Sequence, residues 1–556
     1  MNPNTVDKYL YVRKTPTWLV RGIFFLGILT WGGVIYGYSV FIKVNPIFFV
    51  IVLPVIGFLI IYHIVSYFID LFYKQFNLRA HERLVKKYEY LSKMGYLGHG
   101  TPPSIDIFLP ICGEANSVLI RTFMAVSQLP YAGKKVYVLD DKGVDDHKLL
   151  AESLGFTYFS RAEKGHMKKS GNIKYGYERS TGDFIVVFDA DFAPHADFIK
   201  ELIPYMDDPR VGIVQSPQYF QMDKEVHDRS PLEYGAAYVQ EDFYRVIQVA
   251  RDQLGAPICC GSNAIYRRAA LEAIGGTVQI DHSEDMYTGV ELITKGWRVK
   301  YIPLLLAVGI CPDNLHAYFH QQHRWCSGSL SLMLDGRFWR SNLSAMQKLS
   351  FVSGFMYYLS HIFTIILSFQ VFFLLLFYRG NINLWDSLPF IPCILFTFVV
   401  IPSFRLTKER FGGYMARNAA SYSYIHASFV AFMKKSVGWQ PTNIKQANIS
   451  NAYRQQLRVA ALFFILYVGL IGICIGSGVI NIRNVNSYSL LFWIGYTLVA
   501  TIVILTSFYS VLDEAKQQQT SMDIAGGAIS LFAWRLKTVG AYVVLAALAL
   551  TIGMIR

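Results

Sequence analysis

The stretch Phe184-Ile-Val-Val-Phe-Asp-Ala-Asp191 decides the fold. Its apolar part, aromatic and β-branched throughout, reads as a buried strand over Phe184–Asp189. Where the strand stops, Asp189–Ala190–Asp191 sets two carboxylates two positions apart. Ile105–Pro110, Lys135–Asp140 and Val211–Gln215 also read as strands, and helical stretches alternate with them. That alternation is the signature of an α/β domain. Open α/β sheets bind ligands at the carboxyl ends of their strands, and both Asp140–Asp141 and Asp189–Ala190–Asp191 lie at such ends.

Apolar runs bracket this domain. Of 556 residues, 53% are hydrophobic and 16% charged, against roughly 25% charged in ordinary soluble domains. Runs at Gly22–Ile42, Pro46–Phe68, Leu349–Tyr378, Trp385–Val400, Val459–Ile480, Leu490–Leu512 and Thr538–Ile555 approach the ~20 residues that cross a bilayer. The chain divides accordingly. Residues 1–73 form a pair of transmembrane helices and 74–314 the α/β domain. Residues 315–345 hold an interfacial helix, and 346–556 a transmembrane region with a second interfacial helix at 414–437. The net charge of +13 is spread over Lys8–Lys14, Lys74–Lys93, Arg161–Lys174, Arg405–Arg410 and Lys434–Lys435. Several of these clusters flank apolar runs, as the positive-inside rule requires, which puts the α/β domain in the cytosol and argues against nucleic acid as the partner. The seven cysteines make no C-x-x-C pair, so no zinc or disulfide framework is indicated.

The polar motifs fit one chemistry, although each has a plainer reading. Two carboxylates at a strand end suit a hard divalent cation that also binds a diphosphate; a solvated turn is the alternative. Asp140–Asp141 suits the edge of a base or ribose, with Pro110–Glu114 as the opposite wall, or else closes a turn, because Asp-Lys-Gly is good turn chemistry. Lys168, Lys169, Gly171 and Asn172 read as a basic turn able to touch phosphate. Glu284–Asp285 opens a helix running from Ser283 to a stop at Gly296, where the macrodipole favours the ionised form that a general base needs. Acids are also common at helix starts without any chemistry. Within Leu315–Leu334, Gln321–Gln322–His323–Arg324–Trp325 offers an indole for a sugar face and a guanidinium and an amide for hydroxyls or phosphate. The same residues suit an amphipathic helix, in the membrane plane or packed on the soluble domain. Trp439–Lys445 carries a Thr and a Lys placed to close over a bound nucleotide.

In order and spacing these motifs resemble the processive family-2 glycosyltransferases, within them the bacterial cellulose synthase catalytic subunits and related membrane β-glucan synthases. The resemblance rests on Asp106-Ile-Phe-Leu-Pro110, Lys169-Ser-Gly-Asn172, Phe188-Asp-Ala-Asp191, Cys260-Gly-Ser262 with Arg267–Gly276, Ser283-Glu-Asp285 and Gln321–Trp325. It implies an α/β GT-A glycosyltransferase domain inserted in a multi-span α-helical membrane domain, with Asp285 as catalytic base and Mg²⁺ or Mn²⁺ at Asp189 and Asp191. It further implies a nucleotide-sugar site at Glu114, Asp140, Asp141, Lys169, Asp189 and Arg324. The acceptor would lie at Cys260, Glu284, Gln321 and Trp325, under a gating loop at 438–446 that contains Trp439, Thr442 and Lys445. Three departures stand out: Ser283 in place of Thr, Phe192 where a His is common, and a gating segment one residue longer than F-x-V-T-x-K.

The expected activity is therefore processive, inverting polymerisation of a β-glucan from UDP-glucose, β-1,4 or mixed β-1,3/1,4, with the growing polysaccharide moved across a bacterial inner membrane. Membrane lipid and a periplasmic or envelope partner are expected, and a C-terminal cyclic-di-GMP-binding domain is not. Competing readings are a curdlan-like β-1,3-glucan synthase, a hyaluronan- or chitin-like synthase with another UDP-sugar, transfer of one sugar to a lipid carrier, and a transporter with a degenerate transferase domain.

Overall fold

Seven strands form the central sheet in the order β3-β2-β1-β4-β8-β6-β9. They are β1 Ile105–Ile111, β2 Lys134–Asp140, β3 Thr157–Phe159, β4 Phe184–Val187, β6 Val211–Gln215, β8 Ala264–Arg267 and β9 Arg298–Tyr301. The computed structural model describes residues 3–476 except 14, 45, 95–101, 221–230, 282, 313–314, 371–383, 406–409 and 434–450. The expected gating loop and the runs at Leu490–Leu512 and Thr538–Ile555 lie outside the described residues. Every pairing in the large sheet is parallel except those of β8, which runs antiparallel to both β4 and β6. A smaller sheet, β5 Ala193–Pro194, β10 Ala307–Gly309 and β7 Tyr219–Phe220, lies beside it in the order β5-β10-β7.

Alternation along the strands builds two cores, because successive side chains point to opposite faces. Ile105, Ile107, Leu109, Val136, Val138, Phe184 and Val186 pack on one face. Phe108, Tyr137, Leu139, Ile185, Val187 and Ile213 pack on the other. Strands buried on both faces read as unbroken apolar runs, which is why β1, β4 and β6 show no polar alternation.

Among the described residues, four helices are long and apolar enough to cross a membrane: Thr17–Lys43, Val52–Asp70, Ala345–Ser368 and Trp385–Phe404. Phe25, Leu29, Ile61 and Val399 on these helices are each more than half exposed, a surface that a bilayer covers and water does not favour. The fourth departs from a regular helix. Phe396–Val400 is a π-helical stretch between Pro392 and Pro402, whose missing N–H groups break the ladder on either side.

The Leu315–Leu334 helix has the bounds read from sequence. It packs along the Arg410–Phe432 helix, with Tyr424 donating to Gln322 Oε1 at 2.6 Å and Ser423 to the Phe319 carbonyl at 2.8 Å. The turn expected at Lys168–Asn172 is instead the first part of a helix, Lys168–Tyr177. Gly171 and Asn172 are buried there, and Asn172 donates to the Leu139 carbonyl at 2.5 Å. Packing onto β2 overrides the turn-like local composition.

The N-terminal segment is pinned to the α/β domain. Lys8 Nζ lies 2.5 Å from Asp197 and 2.6 Å from Glu201, while Glu201 also meets His81 Nε2 at 2.5 Å. Burial alone would raise the Glu201 carboxyl, but His81 and Lys8 outweigh it and bring it down to about 2. A depressed carboxylate contributes stability that is present above its usual pKa, near 4.5, and lost as pH falls toward 2. Glu201→Gln is expected to cost about 2 kcal/mol, since His81 loses its charged partner while Lys8 keeps Asp197. Thermal unfolding of the purified protein at pH 7 measures this, and an unchanged melting temperature would remove the tie.

Candidate active site

A cleft of about 200 Å³ opens at the carboxyl ends of β1, β2 and β4. It is lined on one side by Cys112, Glu114, Asp141 and Lys169, and on the other by Glu284, Asp285, Gln321, Arg324 and Trp325. Asp189, Asp191 and Cys260 complete it. Most of the residues singled out from sequence therefore meet in one place. Asp140 does not line it. That carboxylate is fully buried and already accepts from Lys142 N at 2.8 Å, Val144 N at 2.9 Å and the Tyr158 hydroxyl at 2.9 Å. Burial works against ionisation there, but these donors override it and hold the carboxyl below its usual range, so Asp140 closes the turn after β2. Its neighbour Asp141 is reached by Arg161 Nε at 2.6 Å and by Gly165 N at 3.2 Å.

The reversed strand β8 explains how distant motifs meet. Ala264 pairs with Val187, so the Cys260-Gly-Ser262 turn entering β8 lies beside the end of β4. Asp189 N donates to Ser262 Oγ at 2.9 Å. Lys169 Nζ joins the two sides, 2.5 Å from Asp189 Oδ1 and 3.1 Å from the Gly261 carbonyl. It also lies 3.9 Å from Glu284. Burial would lower the Lys169 ammonium, yet Asp189, Glu284 and Asp285 together raise it, which keeps it charged.

Asp285 follows the left-handed Ser283 (φ 58°) at the start of the Glu284–Thr294 helix. Its Oδ1 accepts from Met286 N at 2.8 Å. Burial first, and Glu284 next, raise its carboxyl to about 7 against the pull of Lys169. Two glycines make room for this arrangement. A Cβ at Gly261 (φ 71°) would stand 2.5 Å from Asp285 Oδ2, and one at Gly328 would overlap the Ser283 hydroxyl. Nothing local in the sequence announces either role. Gln218 and Ser283 also line the cleft and were not singled out as site residues; Gln218 holds the Cys260 carbonyl at 3.2 Å and accepts from Tyr244 at 2.9 Å. Phe192 is buried against Phe220 and beside Gly309, filling space with a ring.

Asp189 and Asp191 form a donor set that fits a hard divalent cation. Among the described residues no group of three or more His, Cys, Asp or Glu is placed to hold a metal, so the pair would need oxygens from a substrate. Burial, and Asp189 beside it, push the Asp191 carboxyl up to about 7, a repulsion that a cation would relieve. Asp189→Ala is expected to weaken the binding of a nucleoside diphosphate at least tenfold in the presence of Mn²⁺ and little without it. Titration calorimetry in both conditions tests this, and equal affinities for variant and parent with Mn²⁺ would rule the role out.

Residues 102–328 match the family described as Glycosyltransferase like family 2. They form a family-2 glycosyltransferase domain. The fold class is the expected one, an α/β GT-A glycosyltransferase domain set among membrane-type helices. The domain is similar to that of a cellulose synthase catalytic subunit (UDP-forming) from Xanthomonas axonopodis pv. citri, 29% identical over 266 residues, covering 46% of this chain and 36% of that protein. A cellulose synthase 1 catalytic subunit (UDP-forming) from Komagataeibacter xylinus is 31% identical over 256 residues, covering 45% and 34%. The match thus spans about a third of the length of these relatives. Among solved structures, a mannosyltransferase from Pyrobaculum calidifontis in complex with GDP-Man and Mn²⁺ aligns over 64% of this chain and 97% of its own, at 17% identity and a TM-score of 0.45.

Proposed function

We propose that the chain is a processive, inverting glycosyltransferase that builds a β-glucan from UDP-glucose and passes the polymer into the membrane. The observation that carries this reading is a second cavity, of about 320 Å³, that begins where the cleft ends. Gln218, Cys260, Ser283, Asp285 and Trp325 line both. The second cavity then runs among Tyr62, Tyr67, Tyr357 and Tyr358, which belong to membrane-type helices. A product released at Asp285 would stand at its mouth, whereas transfer of a single sugar to a soluble acceptor needs no such continuation. Similarity to cellulose synthase catalytic subunits supports glucose as the donor sugar, and the basic clusters beside the apolar runs support a catalytic domain on the cytosolic face of a bacterial inner membrane.

In this reading the acceptor chain end lies between Trp325 and Cys260. Asp285 takes the proton from its hydroxyl as that oxygen attacks the anomeric carbon, and the bond to UDP breaks on the opposite face, inverting the configuration. Lys169 and Arg324 face the diphosphate. Mg²⁺ or Mn²⁺ held by Asp189 and Asp191 would neutralise charge on the leaving group. Glu114, 2.6 Å from Cys112 N, and Asp141 bound the end of the cleft left for the nucleoside.

The test is to incubate the purified protein with UDP-glucose and Mg²⁺ and digest the product with linkage-specific glucanases. A glucanase-sensitive polymer is expected, and the enzyme that degrades it names the linkage. No polymer from a preparation that binds UDP would overturn glucose as the donor, and competition by UDP-N-acetylglucosamine would point to an amino sugar instead.

A further inference from the structure

The second cavity holds a buried cation that its surroundings do not saturate. Arg251 is 3% exposed and lines that cavity. Its Nη2 donates to Ser353 Oγ at 3.2 Å, but neither Nε nor Nη1 finds an acceptor. The backbone on both sides is clamped. Gln248 exchanges hydrogen bonds with Ile258, at 2.7 and 2.9 Å, and Asp252 accepts from Tyr301 N at 3.0 Å. From the adjoining Ala345–Ser368 helix, Gly354 comes so near that a Cβ would lie 3.0 Å from Nη2. The guanidinium is thus fixed in the cavity wall with donors left over. Burial pushes it down to about 10, and Asp70 is the strongest anionic influence pulling the other way. Asp70, at the end of the second span, is 3% exposed and lines the same cavity. Leaving buried charged donors unsatisfied is costly, and the cost is recovered when a ligand supplies acceptors.

We propose that Arg251 and Asp70 form a saccharide subsite that holds a polyhydroxylated sugar unit of the acceptor chain, Arg251 donating to its oxygens and Asp70 accepting from its hydroxyls. The inference rests on the synthase reading above and names two residues that would hold the acceptor chain beyond the cleft. Hydroxyls donate and accept at once, so a fixed donor and a carboxylate lining one cavity suit them. The rings of Tyr62, Tyr67, Tyr357 and Tyr358 offer apolar faces for the C–H surface of a pyranose.

The experiment is equilibrium binding of a fluorescent β-gluco-oligosaccharide to the full-length purified protein, with UDP affinity measured in parallel. Arg251→Met is expected to weaken oligosaccharide binding at least tenfold and Asp70→Asn at least threefold, both with UDP affinity within twofold of the parent. Arg251→Lys keeps the charge but fewer donors and should fall between. Unchanged oligosaccharide affinity in Arg251→Met, or no binding by the parent, overturns the subsite. If Arg251→Met also loses UDP affinity, and with it the fold, Arg251→Lys and Asp70→Asn decide by the same criteria. Polymer synthesis is assayed separately. Oligosaccharide binding of the expected pattern without polymer from any UDP-sugar would overturn the synthase reading while upholding this site.

Discussion

Asp285→Asn is expected to leave UDP affinity within twofold of the parent and to lower polymer synthesis by about 10²–10⁴-fold, the usual contribution of a positioned general base. The amide keeps the size of the carboxylate and can still accept from Met286 N, so the helix start is preserved. What disappears is the capacity to take a proton. The same residue sets a pH dependence. Its carboxyl is raised to about 7, so the active, ionised form is lost as pH falls below that value. On the acid limb, kcat/KM for the parent is expected to drop about tenfold per pH unit, with a midpoint near 7 rather than near 4. Polymer synthesis persisting in Asp285→Asn, or an acid limb centred near 4, would assign the base elsewhere.

Gly328→Ala is expected to lower synthesis about 100-fold, although Gly328 touches no substrate. The added methyl would occupy the place of the Ser283 hydroxyl, and Ser283 sits immediately before Glu284 and Asp285 in a left-handed conformation. Displacing it moves the base, and a misplacement on the order of 1 Å can cost 10²-fold. The second substitution Ser283→Gly removes the obstructing side chain and suits the positive φ, so the double variant should recover most of the activity. UDP affinity should stay within threefold throughout. Full activity in Gly328→Ala, or failure of Ser283→Gly to restore it, would show that the Leu315–Leu334 helix does not set the position of Asp285.

The frame of the site was legible because its parts are local. A strand leading into Asp189–Ala190–Asp191, which stops at Val187 rather than at Asp189, a helix opening on Glu284–Asp285 and the full extent of Leu315–Leu334 each follow from short-range pattern. What escaped depends on partners far along the chain. Lys168–Asn172 has the composition of a turn and becomes helical because it packs on β2. Asp140 looks like its neighbour Asp141, and only the donors from Lys142, Val144 and Tyr158 show that its lone pairs are already committed. Gly261 and Gly328 matter through the atoms they let approach, which no window of sequence contains. Arg251 reads as an ordinary helical arginine until its burial and unused donors are seen together.

The position of β8 carries a consequence for synthesis of the chain on the ribosome. It is among the last strands of the large sheet to be made, yet it sits inside the sheet, between β4 and β6. Until residues 264–267 emerge, the portion β3-β2-β1-β4 ends in an unpaired strand, and Asp189 lacks the Ser262 hydroxyl that fixes its backbone. Non-local pairing of this kind closes slowly. The nascent domain therefore passes through a stage with an open edge after its first two spans are available to the membrane, and that is the interval in which a chaperone or an aggregating neighbour competes with correct folding.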